Sequence, residues 1–84
     1  MVKVRLMATL KERFGKETIV LEAQTLLDVL RKLAETAPDL LDPVGRPSPL
    51  YLYLINGADS RILGDNPQLG EEDEIAIIPI NHGG

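Results

Sequence analysis

Two adjacent glycines, Gly83 and Gly84, close the sequence directly after an apolar run that predicts a β-strand ending near Ile80. Because glycine carries no side chain, such an end can enter a narrow channel and present its α-carboxylate to another enzyme. That carboxylate is ionised at neutral pH and is a fair nucleophile towards the α-phosphate of ATP. A Gly-Gly end also arises by chance or as a frayed terminus, so its context decides between the two interpretations.

The chain offers few other reactive groups. It has no cysteine and one histidine, His82, and the predicted loops place no histidine beside Ser48 or Ser60. These counts exclude disulfides and thiolate nucleophiles, and they predict no nucleophile-base pair. The consecutive carboxylates of residues 71–74 are interpreted as a solvated turn, since neighbouring side chains in a turn splay apart. We therefore predict no metal site and no bound cofactor, and we interpret His82 as a spacer that a partner contacts.

Composition bounds the class of protein. The 84 residues make one small domain, and 44% apolar with 26% charged residues is an ordinary globular balance. A formal charge of −4 argues against a surface that binds nucleic acid. The apolar stretches are too short to span a bilayer, and the first residues alternate where a signal peptide would be continuously apolar. We expect a cytoplasmic protein that binds neither nucleic acid nor membrane.

Hydrophobic periodicity predicts the order of the elements. Val2, Val4 and Leu6 alternate with polar residues, which is typical of a half-buried strand, and Thr25 is a candidate N-cap for a helix that Pro38 ends. The predicted elements are strands over 2–6 and 18–21, a helical turn over 9–14, a helix over 26–37, a strand over 50–55, an edge strand over 61–63 and a last strand over 74–80. Asn56 and Gly57 predict a tight turn, and a loop over 39–49 is expected to be pinned by Leu40, Leu41 and Val44.

This order predicts an α+β domain of the β-grasp type, in which a mixed sheet of four to five strands packs on one main helix. The domain would span residues 1–80, with an extended tail over 81–84, and its first and last strands would lie parallel at the centre of the sheet. Met7, Ile78 and Tyr51 or Tyr53 are candidates for the sheet face that the helix leaves uncovered. That face is either a partner-docking surface or ordinary exposed apolar surface.

Several segments carry a family resemblance. Residues 69–84, Leu-Gly-Glu-Glu-Asp-Glu-Ile-Ala-Ile-Ile-Pro-Ile-Asn-His-Gly-Gly, resemble the ending of MoaD-type sulfur carriers, which usually reads Leu-x-Asp-Gly-Asp-Glu-Val-Ala, two hydrophobic residues, then Pro-Pro-Val-x-Gly-Gly. The turn at Asn56-Gly57, the helix opening over 25–30 and the start over 2–6 and 13–15 are similar to the family as well. The chain is thus identified as a MoaD-type ubiquitin-like sulfur carrier of the MoaD/ThiS family, similar to the small subunit of molybdopterin synthase.

The resemblance implies that the chain is a substrate for chemistry and not a complete enzyme. An E1-like adenylyltransferase would adenylate Gly84 with its own ATP and magnesium, and a sulfur donor would convert the adenylate to a thiocarboxylate. The tail would then enter the large subunit of molybdopterin synthase, within a heterotetramer, and give its sulfur to a pyranopterin. Gly83 would be threaded into the partner, and the stem of Pro79, Ile80, Asn81 and His82 would contact it. Ile78 and Met7 would contact it from the sheet.

Two features of the ending bear on this interpretation. Pro79 lacks an amide donor and is expected to stop ladder pairing, which would release the tail from the sheet. The sequence also departs from the family pattern, with Glu72 in place of glycine, Ile80 in place of a second proline, and Asn81-His82 in place of small residues. The acceptor therefore stays open among a molybdenum or tungsten pterin, tRNA, the thiamine pathway and lysines of modified proteins. A β-grasp binding module with an incidental Gly-Gly end is the alternative class.

Overall fold

One mixed sheet organises the computed structural model, which describes residues 1–80. Within that range its five strands are β1 (Val2–Leu6), β2 (Thr18–Leu21), β3 (Tyr51–Ile55), β4 (Ala58–Asp59) and β5 (Glu74–Pro79). Between the strands lie helices α1 (Thr9–Phe14) and α2 (Leu26–Leu33) and two short 3-10 turns, Pro38–Leu40 and Ser60–Ile62. The strands are ordered β2-β1-β5-β3-β4. This architecture confirms the predicted β-grasp fold.

The first and last strands lie side by side and parallel, as predicted. Val4 pairs with Ile75 and Leu6 with Ile77, and all four side chains are fully buried. β2 pairs antiparallel with β1, and β3 pairs antiparallel with β5. Because β1 and β5 are parallel, their C-terminal ends lie at the same end of the sheet. The end of β1 is therefore next to the point where the chain leaves β5.

Helix α2 begins with a capping box. The Thr25 hydroxyl accepts a hydrogen bond from the Asp28 N–H at 3.2 Å, and the Asp28 carboxylate accepts one from the Thr25 N–H at 3.2 Å. These bonds satisfy backbone donors that an uncapped helix leaves free. The predicted N-cap is confirmed. The buried face of the helix consists of Leu26, Val29, Leu30 and Leu33.

The prediction of a helix over 26–37 was too long, because α2 ends at Leu33. The N–H groups of Thr36 and Ala37 both donate to the Leu33 carbonyl, which tightens the chain into turns after the last helical residue. Pro38, which has no N–H, then opens a 3-10 turn. Ala37 is nevertheless fully buried. Its apolar side chain therefore belongs to the core, although the residue lies outside the helix.

The two tyrosines of β3 face the core, and the expectation that one of them lies on the uncovered face was wrong. Tyr51 and Tyr53 are both buried. Their hydroxyl groups find partners at the rim of the core, where Tyr51 donates to Asp39 at 2.7 Å and Tyr53 lies 3.0 Å from the Ser48 carbonyl. A buried phenol needs such a partner, and the loop after α2 supplies it.

Two other local predictions were wrong. The edge strand is Ala58–Asp59 and not 61–63, because the chain enters a 3-10 turn at Ser60 whose N-cap is Asp59, with Asp59 accepting from the Arg61 N–H. Val44 does not pin the loop, since it is 79% exposed, whereas Leu40 is fully buried. In both cases the prediction depended on an apolar residue type, which by itself specifies neither a strand nor burial, and Ile62 and Val44 are 80% and 79% exposed.

The turn between β3 and β4 also fixes the start of β5. Asn56 and Gly57 have φ values of 51° and 86°, as a two-residue hairpin turn requires. The Asn56 side chain accepts from the Glu74 N–H at 3.0 Å and donates to Asp73 at 2.9 Å. Asp73 in turn accepts from the Gly70 N–H at 2.7 Å. The acidic turn is thus built into the sheet through Asp73.

We predict that Asn56→Asp destabilises the fold by about 1 kcal/mol at neutral pH. Aspartate tolerates the left-handed backbone of this position and can still accept from Glu74. The substitution replaces the amide NH₂ group that donates to Asp73 by a carboxylate oxygen. Two carboxylates then face each other in place of the hydrogen bond. Urea unfolding should show the loss at pH 7 and a smaller loss under acid conditions that protonate one of the pair. Equal stability of the variant at pH 7 would show that the Asn56–Asp73 bond contributes nothing.

Candidate functional site

The chain leaves the sheet at Pro79 and Ile80, which we call the tail root. The predicted tail residues Asn81, His82, Gly83 and Gly84 lie outside the described residues, so the site is built here from the tail root and its surroundings. Pro79 is the last residue of β5 and lies opposite Tyr51 of β3. Ile80 is 42% exposed.

Pro79 does not stop all ladder pairing. The Ile80 N–H donates to the Leu50 carbonyl at 3.0 Å, so the pairing of this segment with β3 runs one residue past the proline. The prediction that Pro79 releases the chain from the sheet was therefore wrong on this side. The physical reason is the pleat: in an antiparallel pair only every second residue points its N–H at a given neighbour, and Pro79 is not one of the residues that bond β3.

On the β1 side the proline does end the pairing. The Met7 N–H donates to the Ile77 carbonyl at 3.2 Å, and in this parallel register the next donor would be the nitrogen of residue 79. Proline has no hydrogen there. The Met7 carbonyl instead accepts from the Leu10 N–H at 3.1 Å, at the start of α1. Pro79 thus separates the chain from β1 and leaves it attached to β3.

A polar cluster lies beside the tail root. Tyr51 donates to one carboxylate oxygen of Asp39 at 2.7 Å, and Arg13 donates to the other at 2.9 Å. The Arg13 guanidinium also lies 3.4 Å from the Tyr51 hydroxyl and 3.5 Å from the Thr36 carbonyl. These groups come from three different elements, namely α1, the 3-10 turn after α2, and β3. The cluster therefore links those elements at the end of the sheet where the chain leaves.

Protonation in the cluster follows from these contacts. Partial burial raises the pKa of the Asp39 carboxyl, but the hydrogen bonds from Tyr51 and Arg13 outweigh burial and hold that pKa below its usual value. Burial, together with the bond to Asp39, raises the pKa of Tyr51 to about 12. The bond to Asp39 also raises the pKa of Arg13. At neutral pH the cluster is consequently a carboxylate held between a phenol and a guanidinium.

A cleft of about 370 Å³ opens between this cluster and the tail root, and it is lined by Thr9, Arg13, Asp39, Leu50, Tyr51 and Pro79. Leu50 is 54% exposed at its edge. The cleft offers apolar surface next to charged groups at the base of the tail.

The sheet face opposite the helices carries an apolar strip. Ile78 alternates with the buried Ile77 and pairs with Leu52, while Ala76 pairs with Leu54; all four strip residues, Leu52, Leu54, Ala76 and Ile78, are half-buried. Lys3 and Arg5 lie beside the strip on β1 and approach Glu74 at 3.9 and 3.6 Å. Met7 is half-buried and directly follows the last residue of β1. The predicted placement of Ile78 on the uncovered face is confirmed.

Other chemistry is sparse in the part of the chain that the structure describes. Among residues 1–80 no three histidine or acidic side chains lie close enough together to hold a metal ion. Within the same range no helix is long and apolar enough to cross a membrane. Ser48 and Ser60 are buried, and Ser48 uses its hydroxyl to accept from the Leu50 N–H at 3.1 Å. Ser48 is thus occupied in shaping the loop before β3.

Comparison with known proteins places this geometry in a family. The family model described as the ThiS family matches residues 4–84. The chain belongs to the ThiS family. It is accordingly a ubiquitin-like protein of the MoaD/ThiS sulfur-carrier type. No curated protein matches the chain significantly.

Solved structures similar to this chain are consistent with its membership of the family. The chain is 35% identical to Urm1 of Sulfolobus solfataricus, with a TM-score of 0.81, over 93% of this chain and 99% of that one. It is 33% identical to small archaeal modifier protein 1 (SAMP1) of Methanosarcina acetivorans, with a TM-score of 0.80, over 99% and 95%. A chain of the Amycolatopsis orientalis BexX/CysO complex shares the fold, with a TM-score of 0.83 over the full length of both chains at 18% identity.

The sequence did not reveal several residues of this site. Arg13, Asp39 and Tyr51 are far apart in the chain, and each has an ordinary interpretation as a surface or strand residue. Leu52 and Leu54 were missed because the β3 sequence Tyr-Leu-Tyr-Leu-Ile is apolar on both of its faces. The sequence did contain one usable signal. A buried phenol needs a hydrogen-bond partner, which favours placing the two tyrosines on the face nearest the polar loop after α2.

Ile78→Asp should leave the ThiS-type fold intact, with a free energy of unfolding lowered by no more than about 2 kcal/mol, because the side chain is only half-buried and lies on the uncovered face. Ile77→Asp is the matched control. It buries an unpaired carboxylate in the core and should cost about 4 kcal/mol or more. Urea unfolding of the two variants measures the difference. If Ile78→Asp proves as damaging as Ile77→Asp, Ile78 belongs to the core.

Asp39→Asn should change the acid dependence of stability. The low pKa of Asp39 in the folded chain stabilises the fold above the unfolded value of about 3.9, and this contribution disappears as the pH falls through the lower folded pKa. Because the Asp39 side chain is 44% exposed, screening limits the contribution to about 0.5–1 kcal/mol. Unfolding free energies from pH 7 to pH 2 should show the wild type ahead at pH 7 and the gap closing in acid. A constant gap contradicts the assignment.

Proposed function

We propose that this chain is a sulfur carrier whose C-terminal Gly84 is activated and converted to a thiocarboxylate by partner enzymes. The observation that supports it most strongly is the family match, which extends through residue 84 and so includes the Gly-Gly ending. The small inventory of reactive groups agrees with a chain that is acted upon. The carrier itself binds no cofactor in this proposal, and ATP and magnesium belong to the activating enzyme.

The reaction needs only the carboxylate of this chain. A carboxylate oxygen of Gly84 attacks the α-phosphorus of ATP and displaces pyrophosphate, which gives an acyl-adenylate. Hydrosulfide then attacks the acyl carbon, AMP leaves, and loss of the remaining sulfur-bound proton gives the thiocarboxylate. Both steps take place in the active site of an E1-like enzyme. The folded domain would remain outside that site, with Gly83 and Gly84 threaded into it and the stem of Pro79, Ile80, Asn81 and His82 held by the enzyme at its entrance.

The domain would dock through the apolar strip of Leu52, Leu54, Ala76 and Ile78, with Met7 at its edge. Such a strip on an open sheet face is a suitable protein-contact surface. It lies on β3 and β5, the two strands that meet at the tail root. A partner seated on it would be close to the chain end. The flanking Lys3 and Arg5 share the single carboxylate of Glu74, so a net positive charge remains that would favour acidic side chains on the partner.

The test is the intact mass of the protein. Incubated with an E1-like enzyme from the same cell, ATP, magnesium and a sulfide donor, the wild type should gain the mass that corresponds to exchange of one oxygen for one sulfur. Deletion of Gly84 should abolish the gain, because it leaves a shorter end that no longer reaches the reacting atoms. Leu63→Ala, at an exposed site outside the proposed machinery, serves as the matched control and should react normally. A wild type that binds partners but never changes mass would support the binding-module alternative.

The sulfur acceptor is a separate part of the proposal. On the resemblance of the ending to MoaD-type carriers, we propose transfer to a pyranopterin within a molybdopterin-synthase-like heterotetramer. The second candidate is attachment to protein lysines, and it is favoured by the 33% identity to a protein named as a small archaeal modifier. Thiocarboxylated protein, mixed with a synthase large subunit and precursor, should yield dithiolene pterin in the first case. Isopeptide-linked conjugates that appear in cell extract without the synthase large subunit would favour attachment to protein lysines.

A further inference from the structure

At the tail root the chain is attached on its β3 side but not on its β1 side. Within residues 1–80 the Ile80 N–H is bonded to the Leu50 carbonyl at 3.0 Å, while the missing N–H of Pro79 leaves the β1 side without a donor. The direction in which the chain leaves the sheet therefore depends on how firmly the first residues of β3 are fixed.

Side chains fix that start of β3. The Leu50 N–H donates to the Ser48 hydroxyl at 3.1 Å. The next residue, Tyr51, lies opposite Pro79, and its hydroxyl reaches Asp39 at 2.7 Å, which Arg13 contacts at 2.9 Å. The strand that holds the tail root is thus tied through Tyr51 to α1 and to the turn after α2.

The hydroxyl of Tyr51 is not needed to fill the core. A phenylalanine would occupy the same buried volume, so the hydroxyl contributes the link to the charged pair. Hydrogen bonds that involve ionised groups are shorter and stronger than neutral ones. A guanidinium, a carboxylate and a phenol from three elements therefore restrain the start of β3 more firmly than packing alone.

We propose that Arg13, Asp39 and Tyr51 form a positioning cluster that orients the chain at Ile80 for entry into the activating enzyme. This inference rests on the proposed function, in which the chain end is the substrate. Without the cluster, fewer molecules keep Ile80 on Leu50, and the enzyme must order Ile80 as it binds. That ordering weakens binding of the carrier and leaves the chemistry at Gly84 unchanged.

The first test needs no partner. In Tyr51→Phe, hydrogen exchange of the Ile80 amide, followed by NMR, should accelerate about 3- to 10-fold relative to the Ile77 amide, since local opening becomes easier at the tail root. Ile55→Val is the matched control, because it removes a buried methyl group from the same face of β3, at the end of the strand that lies away from the tail root. The control should leave the Ile80-to-Ile77 ratio at its wild-type value.

The second test is kinetic. In ATP–pyrophosphate exchange by the activating enzyme, Tyr51→Phe should raise the KM for the carrier about 3- to 10-fold with kcat unchanged. A merely structural role would lower the unfolding temperature without changing the KM of a carrier that stays folded in the assay. Asp39→Ala should behave like Tyr51→Phe, and the double variant should be no worse than either, because both act through one cluster.

The outcomes separate the two proposals. A wild type that no activating enzyme accepts overturns the proposed function, and with it the purpose assigned to the cluster. A wild type that is activated normally, with Tyr51→Phe and Ile55→Val alike in Ile80 exchange and in KM, overturns the positioning cluster alone.

Discussion

The parallel pairing of β1 with β5 is the contact on which the rest of the structure depends. It joins the two ends of the described chain, so that Val4 lies beside Ile75 and Leu6 beside Ile77 in the fully buried centre of the sheet. Burial of each such side chain stabilises a fold by about 1.5–3 kcal/mol. Because the strands are parallel, the end of β1 and the exit of the chain lie at one end of the domain. Helix α1, which follows β1, is thereby brought to the tail root.

From this pairing the site follows by local rules. The pleat decides that Ile80 bonds to β3, and the missing N–H of Pro79 decides that the chain separates from β1. The turn after α2 brings Asp39 to Tyr51, and α1 brings Arg13 to Asp39. The result is a tail root that is attached on the β3 side and separated from β1. This arrangement suits the proposed presentation of the C-terminal tail to another protein from a fixed base.

Much of the fold could be predicted from sequence because its signals are local. The capping pair Thr25–Asp28, the Asn56-Gly57 turn and the alternation in β1 each depend on neighbours in the chain. The errors have a common cause. The end of α2, the position of the edge strand and the face of the tyrosines all depend on hydrogen bonds whose outcome an apolar or polar residue type does not specify. The apolar character of β3 on both faces left its orientation open, and the loop after α2 decided it.

The sequence by itself predicted a β-grasp domain over residues 1–80, showed that cysteine is absent, and ended on a Gly-Gly pair that resembles those of sulfur carriers, because composition and local motifs are enough for those statements. Only the tertiary structure decided how the chain leaves the sheet. Arg13, Asp39 and Tyr51 are separated by 26 and 12 residues along the chain, and no local pattern joins them. Their meeting at the tail root depends on the packing of three elements around the β1–β5 pair, which is a property of the whole fold.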